Sequence, residues 1–399
     1  MHDKHPSRRS VLAMLSAAPV VAGTALAAPG IAEAATGRSP SSGSVPDGLR
    51  PGGAFDDLVA RLAAEDRFSG TVLLEHRDRP VLERAYGMAD HARGIPNESG
   101  TIFSTASVTK LFTSIAIAQL AEQGALHHHD TVGRHLDGFA PEVADAVTVH
   151  QLLTHTSGLG NYMRIGDFWR EAATWDSVEE AWEGTLRYVR MDRPTLVPGS
   201  GSVYSNTGFV ILGAIVARLS DMTYYDYIRT RVFAASRTTA TDFYTLPRWR
   251  ADRRIAHPYV KDGDEITDVI DDRQTFVGTP AGGAFATAAD LARIVKTLLR
   301  GDLVGEQHLY LAMSPKTPRD PGADPAAAAE PPPPASFGNY LTISALTGGQ
   351  WVLGHGGGAP GISANVHWFP DSDWFVAVLA NCDDAAGEVV NAAVRHITE

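Results

Sequence analysis

"FSTASVTKLFTSIAIAQLAEQG", Phe103 to Gly124, sets Ser107 and Lys110 three residues apart at the head of an apolar run. Residues three apart on a helix lie one turn apart on nearly one face, so hydroxyl and amine come within hydrogen-bond reach. The residues that follow, among them Leu111, Phe112, Ile115, Ile117 and Leu120, are apolar almost all round, which predicts a central helix with its lysine at a buried edge. Such a lysine answers a chemical need. A serine hydroxyl is a weak nucleophile until a neighbour takes its proton, and burial disfavours the ammonium form, leaving an amine able to do so. The helix N-terminus favours negative charge developing beside it. S-x-x-K recurs by chance in many chains; the buried surroundings single it out here.

Two further stretches carry chemistry. In "VPGSGSVYSNTGFVILG", Val197 to Gly213, a Pro-Gly turn leads into an extended segment where Tyr204 and Asn206 alternate onto one side before a helix begins. A phenol can shuttle a proton, and an amide can bind a substrate carbonyl or amide while steadying a lysine. Taken singly, Asn206 would be a helix cap and Tyr204 packing. In "LGHGGGAPG", Leu353 to Gly361, His355 follows a strand and the glycines allow close backbone approach. Its N–H groups can supply half of an oxyanion hole, with the amide of Ser107 as the other half.

Around these stretches the chain reads as α+β. "FSGTVLLEH" and "VLERAYGMA" are strands about a turn at Arg77 to Pro80, a hairpin and so an antiparallel beginning. The middle is helical, including "NTGFVILGAIVARLS" and "TAADLARIVKTLLRG", each opened by a capping residue. Strands return in "FGNYLTISAL", "QWVLGHGG", "ISANVHWFP" and "WFVAVLANC", before a last helix near Ala386 to Ile397. One antiparallel sheet flanked by helices, with its first and last strands from opposite ends of the chain and a helical lobe inserted over about 123–280, is the expected architecture. Residues 317–335, "TPRDPGADPAAAAEPPPPA", read as a mobile loop.

The N-terminus pairs Arg8 and Arg9 with an apolar stretch ending in small residues, so 1–34 reads as a twin-arginine signal peptide, 35–52 as a flexible linker and 53–399 as one domain. A secreted or extracytoplasmic location is therefore expected. The 399-residue chain is 44% hydrophobic with a formal net charge of -12, enough for a sizeable core and poorly suited to nucleic acid or an anionic membrane. The single cysteine, Cys382, excludes an intrachain disulfide and reads as a buried structural thiol. "HHHD", His127 to Asp130, cannot put three histidines on one face and reads as a solvated loop, and no metal site is expected. His155 in "LLTHTSGL" reads as structural. "VGTPAGGAFAT" lacks the lysine and the strand-helix context of a nucleotide site. Trp351, Trp368 and Trp374 read as packing.

The ordered set S-x-x-K, Y-x-N and His-Gly-Gly resembles the serine β-lactamase and penicillin-binding protein superfamily. More narrowly it is similar to the branch of class C β-lactamases, secreted D-alanyl-D-alanine carboxypeptidases and related esterases. "LLTHTSGL" and "PAGGAFATAADLARIV" match that branch as well, and the likeness covers about residues 55 to 397. It implies Ser107 as nucleophile, Lys110 as its base, Tyr204 as proton shuttle and His355 as electrostatic and proton-relay partner. Asn206, Gly356 and Gly357 would bind substrate, and the amides of Ser107 and Gly358 would form the oxyanion hole.

The third motif departs from the Lys-Thr-Gly or His-Thr-Gly of many relatives, because Gly356 has no hydroxyl and His355 is not a lysine. A substrate carboxylate loses about 1–3 kcal/mol of recognition there, which shifts the expectation toward ester or neutral-amide substrates. The resemblance implies a serine hydrolase; with the export signal read at the N-terminus, an exported enzyme is expected, monomeric by preference and without cofactor. It would form an acyl-enzyme on Ser107 and cleave small ester, amide or D-amino-acid-containing peptide substrates. Left open are a β-lactamase or D-Ala-D-Ala carboxypeptidase, a transacylase of natural-product assembly, and a non-catalytic penicillin-binding sensor.

Overall fold

β1 (Gly70–His76) and β2 (Arg79–Tyr86) form the expected hairpin, turning through Arg77 and Asp78, both in the left-handed region at φ 53° and 64°. A two-residue turn of that kind matches the twist of its strands. The computed structural model describes residues 44–263, 265–318 and 336–399. Six further strands join the hairpin: β3 (Thr317–Pro318), β4 (Ser336–Gly338), β5 (Ile343–Thr347), β6 (Gln350–Ala359), β7 (Ile362–Phe369) and β8 (Trp374–Ala380). The sheet order is β2-β1-β8-β7-β6-β5-β4-β3, antiparallel throughout. The last strand pairs with the first, from Gly70 opposite Ala380 to His76 opposite Trp374, so both ends of the chain meet in one sheet.

Side-chain alternation divides the core between the two faces of this sheet. Val72 and Leu74 of β1, with Val376 and Val378 of β8, pack under α1 (Ala54–Ala64) and α6 (Ala385–Thr398). Leu73, Ala377 and Leu379, one residue out of step, face the larger helical side. There α2 (Lys110–Glu122), α3 (Val178–Met191), α4 (Asn206–Ser220) and α5 (Ala288–Leu299) surround the second core. Every residue of α2 from Lys110 to Leu120 is buried, which is why its apolar residues show no polar stripe.

Several expectations need correction. "FGNYLTISAL" is two short strands, β4 and β5, because Asn339 turns the chain by accepting the Leu341 and Thr342 amides at 2.8 and 2.7 Å. Thr317 and Pro318, at the start of the expected mobile loop, pair with Gly338 and Phe337, while 319–335 lie outside the described residues. His127 and His129 are exposed, but His128 stacks on Tyr340 at 4.2 Å, and burial with its cationic neighbours pushes it down to about 4. Cys382 accepts from the Ser69 amide at 3.4 Å, and burial pushes its thiol up. Among the described residues no helix is long and apolar enough to cross a membrane, and no group of side chains is placed to hold a metal.

Residues 1–43, where a signal peptide and most of a linker are expected, lie outside the described residues, but the rest of the expected linker is part of the fold. Val45–Glu399 form one compact unit, and Leu49, in a short 3₁₀ turn, is 0% exposed in the core under α1 and α6. The Ser, Gly and Pro that look linker-like flank one anchoring leucine. Leu49→Ala is expected to lower stability by about 2–4 kcal/mol in urea unfolding, where a linker residue would change it by under about 0.5.

Candidate active site

Ser107 does not lie in the α-helix itself. It sits in a 3₁₀ turn, Ala106–Thr109, that runs straight into α2 at Lys110. Because i and i+3 eclipse in a 3₁₀ turn, the serine and the lysine stand one above the other. Ala106, just before the serine, has φ 42°, a strained value for a residue with a Cβ. The surroundings over-determine that turn. Phe103–Ser104 pair with Phe285–Ala286, Thr105 donates N–H and hydroxyl to the Ala284 carbonyl at 2.8 Å each, and Thr109 Oγ1 donates to Ala106 at 2.6 Å while accepting Ala284 N–H at 3.0 Å.

Lys110 is fully buried, and Nζ has three polar neighbours: Ser107 Oγ at 3.1 Å, Asn206 Oδ1 at 2.8 Å and the Ala281 carbonyl at 2.5 Å. No ion pair to it forms among the described residues, and desolvation holds its pKa well below a lysine's ordinary 10.5. In its neutral form the amine has two N–H donors and one lone pair. Asn206 and Ala281 present acceptor oxygens and use the two donors, which leaves the lone pair for the hydroxyl proton of Ser107.

Tyr204 and Asn206 come from the entry to α4, where Ser205 is the N-cap and accepts the Gly208 amide at 2.8 Å. The cap is therefore Ser205, and Asn206 is released for the lysine. Tyr204 is 42% exposed, with its ring centroid 4.8 Å from Lys110 Nζ and 6.5 Å from the His355 ring. His355 is buried in β6, its Nδ1 2.5 Å from the Gly356 carbonyl oxygen.

The pairing of β6 with β5 ends at Gly354 opposite Ile343, so among the described residues 355–359 pair on one side only, with β7. That strand end packs against the serine turn. At Gly357 a Cβ would stand 2.8 Å from Ser107 N and 2.5 Å from the Thr105 carbonyl oxygen, so only glycine lets the two backbones meet. Gly356 points to the opposite, exposed face beside Asn365 Oδ1, and at Gly358 a Cβ would have only Ile362 O near it, at 3.9 Å. Ser107, Lys110, Asn206 and Tyr204 thus share one cluster, with His355 and Gly357 along its strand edge.

One contributor to the site is a backbone atom. The Ala281 carbonyl belongs to "VGTPAGGAFAT", whose glycines suggest no more than a turn. Thr279 and Gly282 exchange backbone bonds at 2.7 and 3.0 Å there, and Gly213 of α4 admits Pro280 where a Cβ would lie 2.1 Å from its Cγ. A backbone acceptor leaves no residue-type signal.

A family model described as Beta-lactamase matches residues 55–398. Penicillin-binding protein 4* of Bacillus subtilis (strain 168) is 32% identical over 271 residues, 65% of this chain and 58% of that protein. Esterase EstB of Burkholderia gladioli is 35% identical over 178 residues, 40% of this chain and 45% of that protein. The chain therefore spans about half the length of these two relatives. A solved penicillin binding protein from Bacillus halodurans superposes with TM-score 0.73 at 27% identity, covering 84% of this chain and 98% of its own.

Proposed function

The chain belongs to the beta-lactamase family, and from that premise we propose that it is an exported serine hydrolase that forms an acyl-enzyme on Ser107 and cleaves small ester or amide substrates, D-amino-acid-containing peptides among them. The observation that carries this is the buried Lys110 amine, 3.1 Å from Ser107 Oγ and without an ion pair among the described residues. Ser107 Oγ attacks the substrate carbonyl as Lys110 takes its proton. The amides of Ser107 and Gly358 hold the oxyanion, and Asn206 orients substrate and amine together. The proton taken by Lys110 is relayed through the Tyr204 phenol to the departing alcohol or amine, with His355 behind the phenol. Water then attacks the acyl-enzyme, releasing the acid and restoring the hydroxyl.

His355, Gly356 and Gly357 line a strand edge with no fixed cation and no hydroxyl, so a neutral acyl group suits it better than a carboxylate. The relative named an esterase supports the same preference. The twin-arginine pair supports export.

A fluorophosphonate probe is expected to label the wild-type protein once per chain and Ser107→Ala not at all. A chromogenic ester and a D-amino-acid amide are expected to turn over at least ~10-fold faster, by kcat/KM, than nitrocefin. The label should be found outside the cytoplasm of the producing cells. Labelling without turnover of any substrate would make the protein a sensor, and faster nitrocefin cleavage would overturn the substrate preference.

A further inference from the structure

His155, a structural residue by its sequence context, grips three consecutive positions around the phenol. Its carbonyl accepts the Val203 amide at 2.9 Å, and its Nδ1 accepts the Ser205 amide at 3.1 Å. Between those two points its ring stacks on Tyr204, with centroids 4.6 Å apart and 30° between planes. Acceptance at Nδ1 places the proton of the neutral imidazole on Nε2. His155 makes all three contacts from a left-handed backbone, at φ 58°, a conformation that histidine, asparagine and aspartate adopt more readily than most residues.

The same ring packs on Phe209 at 5.2 Å, and Phe209 lies 5.5 Å from Lys110 Nζ. Tyr204 itself is 42% exposed, and a tyrosine on an extended loop otherwise samples several rotamers. Ser205 fixes the far end of the segment by donating its hydroxyl to the Gly160 carbonyl at 3.1 Å.

We propose that His155 is the positioning residue for Tyr204, a two-point clamp of ring stacking and a peptide hydrogen bond that holds the phenol in the one rotamer from which it transfers a proton. This rests on the proton-carrying role given to Tyr204 above. His155 touches neither substrate nor the transferred proton. Its effect therefore acts on kcat through Tyr204 and disappears when the phenol is absent.

The test is a double-mutant cycle on the ester substrate, measuring kcat, KM and melting temperature for wild type, His155→Asn, Tyr204→Phe and the double variant. Asparagine tolerates the left-handed backbone but has no ring to stack. Expected is a fall in kcat of about 10- to 100-fold for His155→Asn at little-changed KM, and under about twofold further loss in the Tyr204→Phe background. His155→Phe, which keeps the stacked ring without the acceptor, should recover part of kcat, and it carries the cycle if the asparagine variant does not fold.

Equal losses in both backgrounds, or no loss on His155→Asn, overturn the clamp while leaving Tyr204 in its role. A Tyr204→Phe enzyme of undiminished kcat overturns the role of Tyr204 and the clamp with it.

Discussion

Lys110→Met is expected to slow acylation of Ser107 by about 10³-fold or more, within the range that a positioned general base supplies, while the protein still folds. Methionine fills the same buried space without a lone pair. The acceptors on Asn206 and Ala281 lose a donor, at about 1–3 kcal/mol, and removal of a buried amine offsets part of that. Stopped-flow acylation by a chromogenic ester, with a melt as control, reads both quantities.

The pH dependence follows from the direction of the shift. Lys110 has a folded pKa held below 10.5 by desolvation, so between the two values the unfolded chain binds one more proton than the folded one. Stability contributed by this site therefore rises with pH across that window, and the penalty is fully present below the folded value. Lys110→Met should lack that rise, and wild-type acylation should increase as pH passes the folded pKa. Acylation at the wild-type rate in Lys110→Met would remove the amine from the chemistry.

Gly357→Ala should be nearly as damaging, for a different reason. The added methyl would lie 2.8 Å from Ser107 N and 2.5 Å from the Thr105 carbonyl oxygen, and both are backbone atoms in a doubly stapled turn. Neither can swing aside, so the strand must move off the serine turn and carry its N–H groups with it. A loss of at least ~10²-fold in kcat is expected, the scale of a lost oxyanion donor, together with about 1–3 kcal/mol of stability. Gly358→Ala is the control for stability, since its methyl meets nothing closer than Ile362 O at 3.9 Å and the variant should melt like wild type. A Gly357→Ala enzyme of normal kcat would show that the strand edge and the serine turn do not need their close contact.

Much of this site was legible because side chains of unusual type recur in a fixed order. A lysine one turn from a serine, in a run with no other charge until Glu122, signals a buried amine. The alternating strands at both ends of the chain likewise announce a sheet, because a period of two is visible residue by residue. Less was legible where the work is done by backbone or by spacing in the third dimension. The Ala281 carbonyl has no residue-type signature, Leu49 looked like a passenger in a Ser-Gly-Pro stretch, and His155 differed in no way from a turn histidine.

The sequence by itself determined which groups are available: a hydroxyl, an amine, a phenol, an amide and an imidazole on the borders of predicted elements, together with the periods that make those elements helix or strand. Only the tertiary structure decided how the amine is used. Asn206 and Ala281, 96 and 171 residues away, set acceptor oxygens 2.8 and 2.5 Å from it, so that in its neutral form both N–H groups are taken and the lone pair is left for the serine. Such a choice depends on where acceptors from distant segments end in space, and chain packing sets that position while local propensity does not.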